Sequence, residues 1–218
     1  MAQNGMNKPT AVIFDFGGVL LNLDLKKTLL AFESLGIPHF EDLFNLYKST
    51  ALFDDLEIGK VTPAQFMDNL RRETELELSD DQITEAWNAL LMDFRTESLH
   101  FVARLKTQIP AYLYSNTNII HYECFQERIR EVTPFSHLNE LFHRAYYSHE
   151  IGMRKPHPEG FLHIIQENAL DASSTLFVDD NADNIEGAKS VGLLTHHLQP
   201  DERVEQVLSW LVNQDMPR

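Results

Sequence analysis

Five short apolar runs rich in β-branched and aromatic residues recur along this chain: Ala11–Asp15, Ala111–Ser115, Ala145–Ser148, Thr175–Asp179 and Leu193–His197. Runs of this length without polar alternation read as strands buried on both faces. Helical patterns accompany the later runs, with apolar residues at Leu99, Val102 and Leu105, at Phe161, Ile164 and Ile165, at Ile185, Ala188 and Val191, and at Val204, Val207, Leu208 and Leu211. Alternation of strand and helix predicts a parallel sheet flanked by helices, an α/β fold of Rossmann-like type.

The first interval breaks the rhythm. About 95 residues separate Asp15 from Ala111 without a convincing strand, whereas one strand–helix–strand crossover takes roughly 30. Most of that stretch is expected to be an inserted helical cap, with helices over Leu25–Leu35, Phe40–Ser49, Thr62–Glu73 and Asp80–Met92. The third opens Thr62-Pro63-Ala64-Gln65, a capping residue with proline at the first helical position, and the fourth Ser79-Asp80-Asp81-Gln82, which resembles a capping box. The expected division is a discontinuous core of residues 8–22 and 97–218 around a cap of residues 23–96.

A chain of 218 residues, 43% of them hydrophobic, can bury one substantial core and a smaller second one. Its formal net charge of −15 argues against a nucleic-acid partner, because affinity for a phosphate polymer rests on basic patches. A phosphorylated small molecule is still allowed, since a site needs only a local cation and a few aimed N–H groups. The single cysteine, Cys124, precludes an internal disulfide and fits a reducing compartment, so a cytoplasmic location is expected. Residues 1–10 carry no export-signal apolar run, and no stretch approaches the roughly 18 apolar residues of a membrane helix. A monomer or weak homodimer is expected.

Ligands in open α/β sheets collect beyond the carboxyl ends of the strands, and here those ends carry reactive or phosphate-binding residues. The first runs from Asp15 into Phe16-Gly17-Gly18-Val19, and the second into Ser115-Asn116-Thr117-Asn118. The loop after the third carries Gly152-Met153-Arg154-Lys155-Pro156, and the fourth ends Asp179-Asp180-Asn181 with Asp183 following.

These four segments resemble the motifs of the haloacid dehalogenase superfamily: an aspartate nucleophile, a Ser or Thr, a Lys and an acidic pair. The resemblance spans essentially the whole chain, with the insertion where that family places its helical (C1-type) cap. FDFGGVL, YSNTN, GMRKP and FVDDNADNIEGA are most similar to the bacterial α-D-glucose-1-phosphate phosphatase group. The resemblance implies a magnesium-dependent phosphatase acting on a small phosphorylated metabolite, best a sugar phosphate such as α-D-glucose 1-phosphate. Asp15 is implied as nucleophile, forming an aspartyl phosphate, and as a ligand of Mg²⁺ with Asp179, Asp180 and the carbonyl of Gly17. Lys155 is implied to neutralise the phosphoryl oxygens, with Ser115 and Asn116 donating hydrogen bonds to them. The chemistry is coherent, because two anions react only when a metal ion and cations spread over the transferring group offset their repulsion.

One position departs from the pattern. Phosphatases of the superfamily usually place a second aspartate, the general acid and base, two residues after the nucleophile, and here Gly17 stands there. A missing general acid commonly costs about 10²–10⁴-fold, least where the departing oxygen is already acidic, as in an anomeric sugar phosphate. True haloacid dehalogenases also lack that aspartate and work without metal, but they lose the acidic pair that Asp179 and Asp180 retain. A phosphomutase needs the missing acid and base, and a binding or regulatory member of the fold has no need of Asp15, Lys155 and the pair together. Asp183 is expected as the N-cap or first-turn acid of a helix starting near Asn184 rather than on the metal. Trp87 and Trp210 are expected in apolar packing, His196-His197 is a strand-end pair of interest, and Asp54-Asp55 faces either substrate hydroxyls or solvent.

Overall fold

A computed structural model of the chain describes residues 8–41 and 52–212. In chain order these form β1 (Ala11–Phe14), β2 (Leu21–Leu23), α1 (Leu25–Ser34), α2 (Leu52–Glu57), α3 (Pro63–Thr74), α4 (Asp80–Asn88), β3 (Leu91–Phe94) and α5 (Thr96–Lys106). There follow β4 (Ala111–Ser115), α6 (Ile119–Val132), β5 (Arg144–Tyr147), α7 (Ser148–Ile151), α8 (Pro158–Glu167), β6 (Thr175–Asp179), α9 (Ala182–Ser190), β7 (Leu194–His197) and α10 (Val204–Val207). Five strands make one parallel sheet in the order β5-β4-β1-β6-β7, as the alternation predicts. The central strands β1, β4 and β6 are buried at every residue, which explains their unbroken apolar sequence.

Two apolar layers sandwich the sheet. One gathers Val12, Phe14, Leu99, Val102, Phe125 and Leu141, and the other Ile13, Tyr114, Phe161, Phe177 and Ile185. A third cluster, built on Phe32, Phe53, Phe66, Ile83 and Trp87, lies within the insertion and reaches the core helix α6 through Ile120. The capping box anticipated at Ser79 forms, and the capping residue Thr62 makes one as well: Thr62 accepts from the Gln65 N–H at 3.2 Å, and Ser79 accepts from that of Gln82 at the same distance, each glutamine answering at 2.9 Å. Among the described residues no helix is long and apolar enough to cross a membrane.

The interval after Asp15 contains two strands that the sequence did not signal. β2 and β3 pair antiparallel, Leu21 with Phe94 and Leu23 with Leu91, across nearly the whole insertion. They are three and four residues long and share no turn that would announce a hairpin. The fourth sketched helix accordingly stops at Asn88 rather than Met92, where Arg128 of α6 donates to the carbonyls of Leu91 at 2.8 Å and Met92 at 2.6 Å. The second sketched helix, Phe40–Ser49, lies almost wholly outside the described residues. α2, over Leu52–Glu57, had no helical expectation.

Candidate functional site

Adjacent parallel strands β1 and β6 bring Asp15 and Asp179 side by side at their carboxyl ends, and the Asp15 N–H continues the ladder to the Val178 carbonyl at 2.9 Å. The loop after α7 returns Lys155 between them. Its Nζ lies 2.5 Å from Asp15 Oδ1 and 2.8 Å from Asp179 Oδ2, and the side chain is buried. The rings of Tyr114 and Phe177 each stand 5.5 Å from that ammonium, in cation–π range. Asp180 completes a group of three carboxylates whose oxygens lie within 4.8 Å of one another. Asp15 and Asp180 line a polar opening of about 500 Å³, together with Asn181 and Asp183.

Charge governs this cluster. Burial first, then the neighbouring Asp179 carboxylate, pushes Asp15 up to about 7 against the pull of Lys155. Asp180 is raised by the same two causes in the same order. For Lys155, burial works against the charged form, and Asp15 and Asp179 more than offset it, so the ammonium is held above the usual lysine range. Three carboxylates facing one ammonium leave an excess of two negative charges among oxygen donors, a donor set that fits one Mg²⁺.

The ion pair predicts a stability effect. Lys155→Met strands two buried carboxylates and is expected to cost about 3–5 kcal/mol, read from urea melts at neutral pH without metal. Adding Asp179→Asn should recover part of the loss, and a Lys155→Met melt that superimposes on the wild type would show that the pair carries no net stability.

The expected residues are differently engaged. Asp179 is fully buried and does not line the opening; its carboxylate accepts from Lys155, from the Asn181 N–H at 2.8 Å and from Asn184 Nδ2 at 3.0 and 3.2 Å. Asn116 was expected to donate to a phosphoryl group, yet its side chain clasps the Lys155 backbone, accepting from the N–H and donating to the carbonyl at 2.9 Å each. Its direct effect is therefore on the position of Lys155. Ser115 is buried at the end of β4 and lines the neighbouring cavity. Asp183 sits in the first turn of α9, its N–H donating to the capping Asn181.

Gly18 adopts φ +74°, and a Cβ there would meet Asp180 Oδ2 at 2.0 Å, so both backbone and space demand glycine. Gly17 is not in that region; the space a Cβ would enter is taken by Leu23 Cδ1, 2.6 Å away. Leu23, placed by β2, escaped the sequence reading because its strand did.

Several side-chain expectations need correcting. Asp54 lines the cavity beside the polar opening and also pairs with Arg154, which reaches Glu57 at 2.9 Å, tying α2 to the lysine loop. Arg154 stood beside Lys155 in the sequence but carried no signal of its own. Trp210 is 45% exposed rather than packed, in a 3₁₀ turn over Ser209–Leu211 that buries Leu211 instead, while Trp87 is buried as expected. His197 Nε2–H donates to the Asp180 carbonyl at 3.0 Å, fixing the backbone behind that carboxylate, and His196 pairs with Glu202.

Residues 9–192 match the family described as haloacid dehalogenase-like hydrolase. The chain is 31% identical over 204 residues to a D-ribitol-5-phosphate phosphatase of Bacteroides thetaiotaomicron, covering 93% of this chain and 98% of that one. It is 27% identical over 198 residues to a sesquiterpene phosphatase of Aspergillus oryzae, covering 86% and 89%. A HAD-family enzyme of B. thetaiotaomicron, solved with magnesium and inorganic phosphate, superposes with a TM-score of 0.83 at 31% identity over 91% of this chain and 98% of that one. The superfamily resemblance read from the motifs therefore holds. The finer likeness to α-D-glucose-1-phosphate phosphatases is not repeated in these relatives, one of which acts on a polyol phosphate.

Proposed function

Because the chain belongs to the haloacid dehalogenase-like hydrolases, as a magnesium-dependent phosphatase of a small phosphorylated metabolite, we propose that it works through an aspartyl phosphate on Asp15. The observation that carries this is the placement of Lys155 Nζ against both Asp15 and Asp179 at the sheet's carboxyl edge, with Asp180 alongside. Asp15 attacks phosphorus, the P–O ester bond breaks, and the departing oxygen keeps the bonding pair. Water then attacks the phosphorus of the acyl phosphate, returning Asp15 and releasing inorganic phosphate. Lys155 favours the ionised form of Asp15 and offsets charge on the phosphoryl oxygens; Asp179, held by Asn184 and Asn181, orients Lys155. Asp15, Asp180 and the Gly17 carbonyl, supported by Asp179, would hold Mg²⁺, which when bound supplies the positive charge that lets two anions meet.

With Gly17 in place of an acid, and Leu23 closing that space, the leaving oxygen departs without a proton from this position. Substrates with stabilised leaving groups satisfy that condition, whether anomeric sugar phosphates such as α-D-glucose 1-phosphate or aryl phosphates. The relatives' substrates range from a polyol phosphate to a terpenoid, so common descent leaves the body of the substrate open. Phosphate release should require Mg²⁺ and vanish on exhaustive EDTA treatment, returning when Mg²⁺ is restored. Release that survives chelation, or halide freed from a 2-haloacid, would instead support the dehalogenase reading.

A further inference from the structure

Beside the polar opening lies a second cavity of about 210 Å³, and the two share Gly17, Leu23, Asn116 and Arg154 as a common wall. It is formed where the insertion meets the sheet edge, so a phosphate seated near Asp15 would extend the rest of its molecule into it. Its lining is mainly hydrocarbon, from Leu23, Leu25, Phe53, Trp87, Leu90 and Phe125.

Many polar side chains that reach this cavity are already committed to protein partners. The Thr28 hydroxyl donates to the Trp87 carbonyl at 3.2 Å and accepts from the Leu90 N–H at 3.0 Å. Asn118 accepts from the His121 N–H at 3.1 Å, and the His121 ring meets Asn88 at 2.8 Å. Asp54 and Glu57 share Arg154. A sugar hydroxyl that sheds water here without regaining a partner loses about tenfold in affinity. Nor does Trp87 offer a free platform for a sugar ring, since Phe53 and His121 already stack on it at 5.2 and 5.3 Å with interplanar angles of 13° and 10°.

The geometry points to a phosphate monoester of a phenol, with its ring in the apolar cavity and its phosphoryl group in the polar opening; this narrows, and rests on, the phosphatase reading above. Two independent observations meet in it. The cavity rewards an apolar body, and an apolar cavity of roughly 150 Å³ suffices for benzene, so this one admits a single substituted ring. Leu23 stands where a general acid would act, and a phenolate is a leaving group that needs no proton.

Leaving-group chemistry and ring recognition are separated by two phosphonates that cannot be hydrolysed. With the full chain and Mg²⁺, phenylphosphonate and methylphosphonate compete against hydrolysis of 4-nitrophenyl phosphate. Phenylphosphonate should bind at least about tenfold more tightly. That preference should shrink about threefold or more in Leu25→Asn, while inorganic phosphate inhibits both forms alike. Leu25 is 44% exposed in the first turn of α1, so the variant should fold, which a thermal melt checks. Equal inhibition by the two phosphonates, or tighter competition by α-D-glucose 1-phosphate than by phenylphosphonate, overturns the phenol while leaving the phosphatase standing. No phosphate from any ester in the presence of Mg²⁺ overturns both.

Discussion

Replacing Asp15 by asparagine is expected to lower turnover by about 10⁴-fold or more, the scale on which loss of a covalent nucleophile acts. An amide cannot form the acyl phosphate, and it is a poorer ligand for a hard cation than a carboxylate. The fold should survive. The Asp15 N–H keeps its bond to the Val178 carbonyl, and Lys155 keeps Asp179 as its partner. Removing one carboxylate also removes the burial cost, and the lesser repulsion from Asp179, that together push Asp15 far above its ordinary range. Thermal melts of the two proteins in EDTA should therefore lie within a few degrees of each other, whereas the rise in Tm on adding Mg²⁺ should be smaller in Asp15→Asn. Purified Asp15→Asn with normal melting and more than a few per cent of wild-type phosphatase activity would remove Asp15 from the role of nucleophile.

The parts of this molecule that could be read in advance share one physical property: their signal is local in the chain. β1, β4 and β6 are buried on both faces, so their residues are apolar almost without interruption, and polar groups gather at their carboxyl ends, where the crevice of such a sheet opens. Capping at Thr62 and Ser79 is decided within three residues and was legible for the same reason. What escaped depends on contacts between distant segments. β2 and β3 exist only because they pair across the insertion, with Leu23 answering Leu91. The early end of α4 is secured by Arg128, some forty residues later. Asn116 has the residue type of a phosphate donor, and only the position of the Lys155 backbone reveals what its side chain holds. Asp54 likewise has no meaning until Arg154 is beside it. The four motif segments announced the cluster at Asp15, but not the leucine that closes its far side.

That leucine sets the terms of the second large effect. If the leaving oxygen departs unaided, kcat/KM should rise steeply with the acidity of the departing hydroxyl, because negative charge then builds on that oxygen alone. Aryl and anomeric phosphates should exceed alkyl esters such as glucose 6-phosphate by a wide margin. Gly17→Asp restores the general acid and should raise the alkyl esters most, by as much as about 10²–10⁴-fold, flattening the dependence. Backbone strain is no obstacle to this substitution, since the positive φ belongs to Gly18 and not to Gly17. The obstacle is the Leu23 methyl 2.6 Å from the new Cβ, and it is the far end of a side chain 46% exposed, free to swing toward solvent. Leu23→Ala combined with Gly17→Asp removes even that contact, and it should match or exceed the single variant on alkyl esters. A series of esters spanning leaving-group acidity, measured in wild type and both variants, decides the matter. A flat dependence in the wild type would mean that another side chain already supplies the proton, and the only carboxylates lining the apolar cavity among the described residues, Asp54 and Glu57, would become the groups to replace next.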